Sequence, residues 1–197
     1  MPKVTSMHKA EVRDRIIHAA IESFSQAGFD RTKMDDIARR IGLSKGTLYL
    51  YFKSKEDLFI AISEHYINQL REPLDAEAPT REDLVADAEQ FYETFRKIGR
   101  PGDDRVIFEM LVESTRNPRL KKAMHEHRLR VHGVIVSYLQ RQVERGFFRS
   151  DIDIDSLAWA FMSAWVGLTI YKLCGVSEPT VKKAWASMMR AAYAGMG

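Results

Sequence analysis

The sequence has a single cysteine and no long hydrophobic run. Cys174 is the only cysteine among the 197 residues, so an internal disulfide framework and a metal site made of several thiolates are excluded, and a reducing compartment is favoured. The longest uncharged stretch, Ser156–Tyr171, has 16 residues, fewer than the roughly 17 of the shortest transmembrane helices. The first 20 residues lack the apolar segment of a secretory signal. These features predict a cytoplasmic protein with a buried helix at 156–171 and no membrane partner.

Positive charge is concentrated in the N-terminal part of the chain. The whole sequence has 30 Lys and Arg against 27 Asp and Glu, a net charge of +3. Residues 1–55 contain 11 basic and 6 acidic residues, whereas the remainder contains 19 and 21. Such asymmetry indicates a module that binds a polyanion, although an excess of this size over 55 residues also arises by chance.

Apolar residues recur at helical spacing along the chain, and no segment alternates as a β-strand would. Capping residues and glycines divide this pattern into about nine helices, so the predicted fold class is all-α. A break at 99–104 separates the fifth and sixth predicted helices. The predicted stops are Gly28, Gly42, Gly146 and Gly175, and the predicted caps are Thr32, Ser44, Ser54, Thr80, Asn117 and Ser177.

Two short predicted helices meet at Gly42-Leu43-Ser44, which is typical of a helix-turn-helix. Ala38 is small, so the helices can cross closely. Gly42 stands where the backbone needs a positive φ, which glycine adopts at little cost. Leu48 and Leu43 would fill the space between the helices. Ser44 can cap the second helix and leave its N-terminal amides facing a phosphate or a base edge.

The exposed face of the second short helix contains residue types that contact DNA. Lysine reaches phosphate or guanine, a threonine methyl can touch a thymine methyl, and a tyrosine hydroxyl can bond phosphate. Gly46 costs about 1 kcal/mol in a helix relative to alanine, and close approach of DNA would explain it. Tyrosines at this spacing can equally be core residues, so periodicity alone leaves both interpretations open. The candidate DNA-binding residues are Thr32, Lys33, Ser44, Lys45, Gly46, Thr47, Tyr49, Tyr51 and Lys55.

The segment from Arg13 to Ile62 resembles the N-terminal signature of the TetR/AcrR transcriptional regulators. The resemblance depends on Gly28-Phe29, Thr32, Asp36-Ile37-Ala38, Ile41-Gly42-Leu43-Ser44, Lys45-Gly46-Thr47-Leu48-Tyr49, Tyr51-Phe52 and Lys53-Ser54-Lys55-Glu56-Asp57-Leu58. Tyr51 departs from the histidine that many members have, but it keeps a hydroxyl donor. Leu50 stands where tyrosine is common, which removes one potential polar contact to DNA and makes the operator sequence harder to predict.

The resemblance implies an all-helical homodimer with two domains. It implies a DNA-binding helix-turn-helix domain of three helices over residues 1–55 and a helical domain over residues 56–197 that binds an effector and dimerises. The expected function is a ligand-responsive regulator, in the family's usual mode a repressor. Because a homodimer has two-fold symmetry, its operator in double-stranded DNA should be palindromic.

The stretch 156–171 is apolar around its whole circumference, so a helix there must be covered on all sides. One side can face the chain's own core and the other a partner subunit. We therefore expect the last two helices to form a two-fold four-helix bundle with their mates. The candidate dimer-interface residues are Trp159, Met162, Val166, Trp185, Met188 and Met189.

Large apolar residues on the inner stripes of helices five to eight have two possible roles. Core packing is the simpler explanation for each of them. Alternatively, some line a pocket for a small apolar or aromatic effector, where flexible methionine suits an adaptable site. The candidate pocket residues are Phe91, Phe95, Met110, Met124, Tyr138 and Trp165.

The sequence shows no catalytic or metal-binding pattern, so neither enzymatic activity nor a cofactor is expected. It contains no nucleophile elbow, phosphate loop or His-Glu-x-x-His spacing. His125, His127 and His132 lie among charged residues and are interpreted as part of a solvated face. The other alternative is an architectural DNA-binding protein without an effector, against which the roughly 140 residues of the second domain argue.

Overall fold

The computed structural model describes residues 6–75, 80, 83, 88–98 and 103–196. Within these residues there are nine α-helices and no strand, which confirms the all-α prediction. The helices are α1 (Ser6–Ala27), α2 (Met34–Arg40), α3 (Lys45–Tyr51), α4 (Lys55–Asp75), α5 (Ala88–Ile98), α6 (Asp103–Ser114), α7 (Pro118–Glu144), α8 (Ile154–Leu173) and α9 (Glu178–Met196). Residues 81, 82 and 84–87 of the predicted fifth helix, and residues 99–102 of the predicted break, lie outside the described residues. The last two residues of that break, Asp103 and Asp104, already belong to α6.

Most predicted caps form the expected hydrogen bonds. The Ser44 hydroxyl oxygen accepts the Thr47 amide at 3.1 Å. The Asn117 side-chain oxygen accepts the amides of Arg119 and Leu120, both at 3.1 Å. Gly42 has a φ of +69°, as the turn requires. These local signals therefore place the starts of α3 and α7 correctly.

Thr32 is the exception, because the N-cap of α2 is Lys33 and no side chain caps that helix. Thr32 is only 3% exposed. Its hydroxyl donates to the carbonyl of Gly28 at 2.7 Å, and the carbonyl of Ser23 lies 3.2 Å away. The predicted N-cap role is wrong, because this hydroxyl satisfies buried carbonyls at the end of α1 instead.

The chain folds into two compact units, the first of which contains Met1–His65 with Arg100–His127 (unit 1). Its core combines the inner stripe of α1 with the helix-turn-helix, and α6 packs against α1. The core residues with no more than 1% exposure are Ile16, Ala20, Ile37, Leu48, Leu58, Met110 and Leu120. Unit 1 is larger than the predicted DNA-binding domain of residues 1–55. Packing alone does not say which residues touch DNA, so that functional boundary stays a prediction.

The second compact unit contains Tyr66–Gly99 with Arg128–Gly197 (unit 2). Here α5 and α8 both pack against α9, whose inner stripe closes the core. The best-buried side chains of this core are Ala88, Tyr92, Leu139, Ala158, Ala186 and Tyr193. Helices α4 and α7 each contribute residues to both units.

Helix α8 is covered on one side only. Ala158, Phe161, Met162 and Thr169 are buried, whereas Ile170 is 43% and Tyr171 is 61% exposed. By length and composition this helix could cross a membrane, but core helices of soluble proteins meet the same criterion. The sequence predicted that this helix is covered on all sides. Within the described part of a single chain, only one of its faces is covered.

Candidate functional site

Helices α2 and α3 form a helix-turn-helix with a tightly hydrogen-bonded turn. The Leu43 amide donates to the Ala38 carbonyl at 2.9 Å, while the amides of Ile41 and Gly42 donate to Ala38 and Arg39. Leu48 is completely buried and fixes α3 against the core of unit 1. Because Leu48 faces inward, the opposite face of α3 points away from the unit.

The outward face of α3 contains the predicted contact residues. Lys45 and Gly46 are exposed, whereas Thr47, Tyr49 and Tyr51 are half-buried. A Cβ added at Gly46 would meet only the Ser44 hydroxyl oxygen, at 3.9 Å. Nothing in the described chain therefore requires glycine at this position. Gly46 lowers the stability of α3 by about 1 kcal/mol relative to alanine, and no packing contact among the described residues explains its presence.

Lys45 forms an ion pair across the helix-turn-helix. Its Nζ lies 2.9 Å from Oδ2 of Asp35 on α2 and 5.9 Å from the centroid of the Tyr49 ring. The hydrogen bond to Asp35 raises the pKa of Lys45, so the ammonium is charged at any physiological pH. A phosphate that binds Lys45 must compete with the Asp35 carboxylate. The sequence pattern did not single out Asp35 as the partner of Lys45.

The other two predicted cations, Lys33 and Lys55, differ in whether their ammonium groups are already bound within the chain. Lys33 is exposed. Lys55 is half-buried, and its Nζ donates to the carbonyls of Phe29 (2.9 Å) and Asp30 (3.0 Å) while lying 4.7 Å from the Phe29 ring centroid. Lys55 thus ties the start of α4 to the turn after α1. The structure gives both Lys55 and the buried Thr32 a role in positioning this turn rather than an open side chain.

Unit 1 ties this surface to α6 and to the start of α7. The Glu109 carboxylate on α6 accepts the Phe29 amide at 2.9 Å. The Asn117 side-chain amide donates to Glu56 at 2.9 Å, and Arg119 pairs with Asp57 at 2.6 Å. Partial burial raises the pKa of Glu56, but its backbone and Asn117 hydrogen bonds outweigh this and lower it overall. The turn after α1 and the first turn of α4 are therefore held by residues far along the sequence.

The six predicted pocket residues are divided between the two units. Phe91, Phe95, Tyr138 and Trp165 belong to unit 2, whereas Met110 and Met124 are buried in unit 1. The two methionines are therefore core residues of unit 1, and the prediction that some of the six line an effector pocket stays a prediction. A helical stripe shows which side of α6 and α7 faces inward, but it does not show which core that side faces.

Unit 2 contains a connected set of aromatic rings, here called the aromatic cluster. Its ring centroids are separated by 5.1 Å (Phe91–Phe95), 5.7 Å (Phe91–Tyr138), 5.8 Å (Phe95–Trp165), 5.6 Å (Tyr92–Trp165) and 5.3 Å (Trp165–Trp185). The rings meet in tilted and edge-to-face geometry, which suits aromatic pairs. Tyr92 and Trp185 extend the set beyond the predicted residues.

Polar groups border the aromatic cluster on one side. The Tyr92 hydroxyl donates to Glu178 at 2.5 Å, and Glu178 also pairs with Lys172 at 2.6 Å and Arg96 at 3.6 Å. Partial burial raises the pKa of Glu178, but the hydrogen bonds from Lys172 and Tyr92 outweigh it and lower the pKa overall. Burial raises the pKa of Tyr138 to about 12. The Glu178 carboxylate is therefore charged and already neutralised by its neighbours.

The candidate dimer residues divide into exposed and buried sets. Trp159 is exposed, and Val166 and Met188 are half-buried. Met162, Trp185 and Met189 are buried in the chain's own structure, so these three side chains are corrected to core residues. The inner stripe of α9 faces the core of its own unit. The sequence pattern does not distinguish such a stripe from one that faces a partner subunit. The exposed apolar residues that the sequence analysis missed are Ile170, Tyr171 and Leu173.

Two of the three clustered histidines are packed rather than solvated. His127 bonds the buried Ser63 hydroxyl and lies edge-on to Phe59. His132 stacks on Trp159 at 4.4 Å between ring centroids. Only His125 is exposed. Within the described ranges, no group of His, Cys, Asp and Glu could hold a metal ion.

Comparisons with known proteins match this geometry. The family model for bacterial regulatory proteins of the tetR family matches residues 16–62. The chain is 28% identical over 165 residues to the HTH-type transcriptional regulator YfiR of Bacillus subtilis (strain 168), covering 82% of this chain and 80% of YfiR. Salmonella enterica GusR has a similar fold, with a TM-score of 0.69 at 23% identity over 98% of both chains. A TetR-family regulator from Cytophaga hutchinsonii gives 0.73 at 18% identity over 94% of both.

Proposed function

The chain belongs to the TetR family of transcriptional regulators, and on that premise we propose that it is a ligand-responsive repressor of the cytoplasm. In this proposal a homodimer binds a palindromic operator in double-stranded DNA and is released by a small-molecule effector. The observation that carries the proposal is the outward face of α3. There Lys45, Thr47 and Tyr49 surround a glycine that no internal contact requires.

DNA recognition would combine phosphate and base contacts. Lys33 and Lys45 are the cations best placed to bind phosphates, while Thr47 and Tyr49 can reach base edges or phosphates from the same helix. So few phosphate-binding cations per subunit give weak binding by one subunit. Tight binding then needs two subunits on half-sites about one helical turn, or a multiple of it, apart. Affinity should fall steeply with salt.

The exposed face of α8 supports dimerisation through unit 2. Ile170, Tyr171 and Leu173 leave an apolar surface on this helix, and Trp159 extends it towards the helix start. Next to it, α9 exposes the small residues Ala184, Ala191 and Gly195. Small side chains allow helices to approach closely. Pairing of these two helices with their mates would cover this surface in a two-fold bundle.

The aromatic cluster supports an effector site in unit 2, and α7 supports a route to the DNA-binding surface. This one continuous helix contains Tyr138 of the cluster and Arg119, which pairs with Asp57 at the start of α4. A shift of α7 on effector binding would therefore move Arg119 and, through its ion pair, the start of α4. Lys55 in that first turn of α4 donates a hydrogen bond to the turn after α1. The sequence offers no catalytic motif, so we propose no enzymatic role.

A mobility-shift titration of the full chain on DNA from its own upstream region tests this proposal. We expect sequence-specific, salt-sensitive binding that the double variant Lys45→Ala, Tyr49→Ala abolishes. Lys121→Ala is the matched control, since Lys121 is another exposed lysine of unit 1 far along the sequence from α3. Specific binding that survives the double variant would reject α3 as the recognition helix.

A further inference from the structure

We propose that the effector of this regulator carries a carboxylate, which the guanidinium of Arg130 binds, on an apolar or aromatic body that contacts the aromatic cluster. This inference depends on the proposed effector response and names the chemical class of the ligand. The supporting feature is Arg130 in the unit 2 part of α7. Arg130 as a whole is half-buried, but its Nε and Nη2 each have less than 1 Å² of accessible surface and no hydrogen-bond partner in the described chain.

An uncompensated buried guanidinium is energetically unfavourable, and arginine does not relieve the cost by losing its proton. Another arginine of the same helix shows the usual solution. Arg141 donates to the Leu74 carbonyl at 2.7 Å. Arg130 differs from Arg141 because two of its guanidinium nitrogens, Nε and Nη2, are buried without a hydrogen-bond partner among the described residues. Buried donors without a partner require an explanation, and a binding site for an anion would provide one.

The two buried atoms indicate which anion fits. Nε and Nη2 together form one edge of the guanidinium, with two parallel N–H bonds. This edge matches the two oxygens of a carboxylate in a bidentate pair. The unpartnered set also includes Nε1 of Trp185, which is buried without an acceptor among the described residues. Each of these two side chains can only donate, so each would be satisfied by an acceptor.

Three carboxylates of unit 2 are already paired with other cations. Glu178 pairs with Lys172 and Arg96. Glu89 pairs with Lys182 and Arg190, and Glu93 also pairs with Lys182. The chain therefore does not offer Arg130 one of these acids without breaking an existing pair. An external carboxylate would supply the counter-charge without such a loss.

The position of Arg130 links it to the aromatic cluster. Arg130, Val134 and Tyr138 follow one another at intervals of four along one side of α7. Val134 and Tyr138 both belong to the buried core of unit 2, and Tyr138 contacts Phe91. Two turns of helix separate Arg130 and Tyr138 by about 12 Å along the axis. A ligand with a carboxylate at one end and an apolar body of similar length would engage both.

The test uses intrinsic tryptophan fluorescence of the full chain with paired probes. The probes are 4-phenylbutyrate, 2-naphthoate, octanoate and decanoate, each beside its primary amide. We expect at least one carboxylate to bind at least tenfold more tightly than its amide, which is about 1.4 kcal/mol. Arg130→Gln should remove this preference and leave amide binding unchanged. Arg149→Gln, which alters an exposed arginine of unit 2, should keep it.

A second readout needs no ligand. Arg130→Met removes the two buried N–H groups that lack partners in the described chain, so we expect the ligand-free melting temperature to rise by about 2–4 °C. A lower melting temperature, or carboxylates that bind no better than their amides, would overturn the inference. A mobility shift with added ligand then separates failure of the carboxylate inference from failure of the proposed effector response. Release by neutral or cationic compounds alone would reject the carboxylate inference and retain the ligand-responsive repressor. Arg130-dependent binding without release would reject the effector response instead.

Discussion

Replacing Gly28 by alanine should cost more in the native chain than in a chain without the Glu109 carboxylate. Gly28 has a φ of +87°, and a Cβ added there would collide with Oε2 of Glu109. The same oxygen accepts the Phe29 amide hydrogen bond at 2.9 Å. Alanine at position 28 therefore has two effects: it strains the backbone, and it displaces the carboxylate that joins α6 to the turn after α1.

Each effect has an expected magnitude. A non-glycine residue in the left-handed region costs about 1–2 kcal/mol, and loss of the partner of a partly buried amide costs about 1–2 kcal/mol. Gly28→Ala should thus destabilise by about 2–4 kcal/mol, and Glu109→Ala by about 1–2 kcal/mol. The double variant should also lose about 2–4 kcal/mol, because the hydrogen bond can be lost only once. The expected coupling energy is about 1–2 kcal/mol.

Urea unfolding of the native chain, the two single variants and the double variant measures this coupling. The same cycle with Gly146→Ala in place of Gly28→Ala is the control, because Gly146 has a φ of +73° and no atom within 4 Å of an added Cβ. The control cycle should be additive. If the Gly28 cycle is additive within about 0.5 kcal/mol as well, Glu109 does not hold this turn.

Three further predictions follow from the two units. Ile170→Glu should yield a monomer by sedimentation, whereas Leu129→Glu, at another exposed leucine, should leave the oligomeric state unchanged; a dimeric Ile170 variant would reject the α8 interface. Asp35→Asn should strengthen DNA binding at low salt, because it frees Lys45 and removes a negative charge; weaker binding would show that Asp35 positions the lysine. The lowered pKa of Glu178 means that its stabilisation is present above about pH 4.5 and is lost as the pH falls through the folded pKa. The melting temperatures of the native chain and Glu178→Gln should therefore converge in acid, and a constant difference would contradict this.

Local signals predicted the geometry of the helix-turn-helix well, because a cap or a turn depends on neighbouring residues. Gly42, Ser44 and Leu48 all have the geometry that their spacing indicates. The sequence failed where distant residues decide. Lys55 bonds carbonyls some 25 positions away, and Asp35 competes for Lys45, which a one-dimensional pattern does not show.

The second unit was less predictable for the same reason. Helical spacing identified Trp185 and Met189 as one side of a helix, but their own chain buries them. Spacing likewise placed Met110 on an inner stripe without showing that its core is that of unit 1. The unpartnered guanidinium of Arg130 had no sequence signal, because its charge resembled that of the solvated residues around it.

The substitution Gly46→Ala tests the central claim, that the outward face of α3 approaches DNA, most directly. An added Cβ meets nothing within the chain closer than 3.9 Å, so the variant should be more stable by about 1 kcal/mol. Gly133→Ala is the matched control, a helical glycine of α7 with open space around it. Titration of operator DNA should show at least a tenfold loss of affinity for Gly46→Ala and none for Gly133→Ala. Unchanged affinity of a stabilised Gly46→Ala variant would contradict the account.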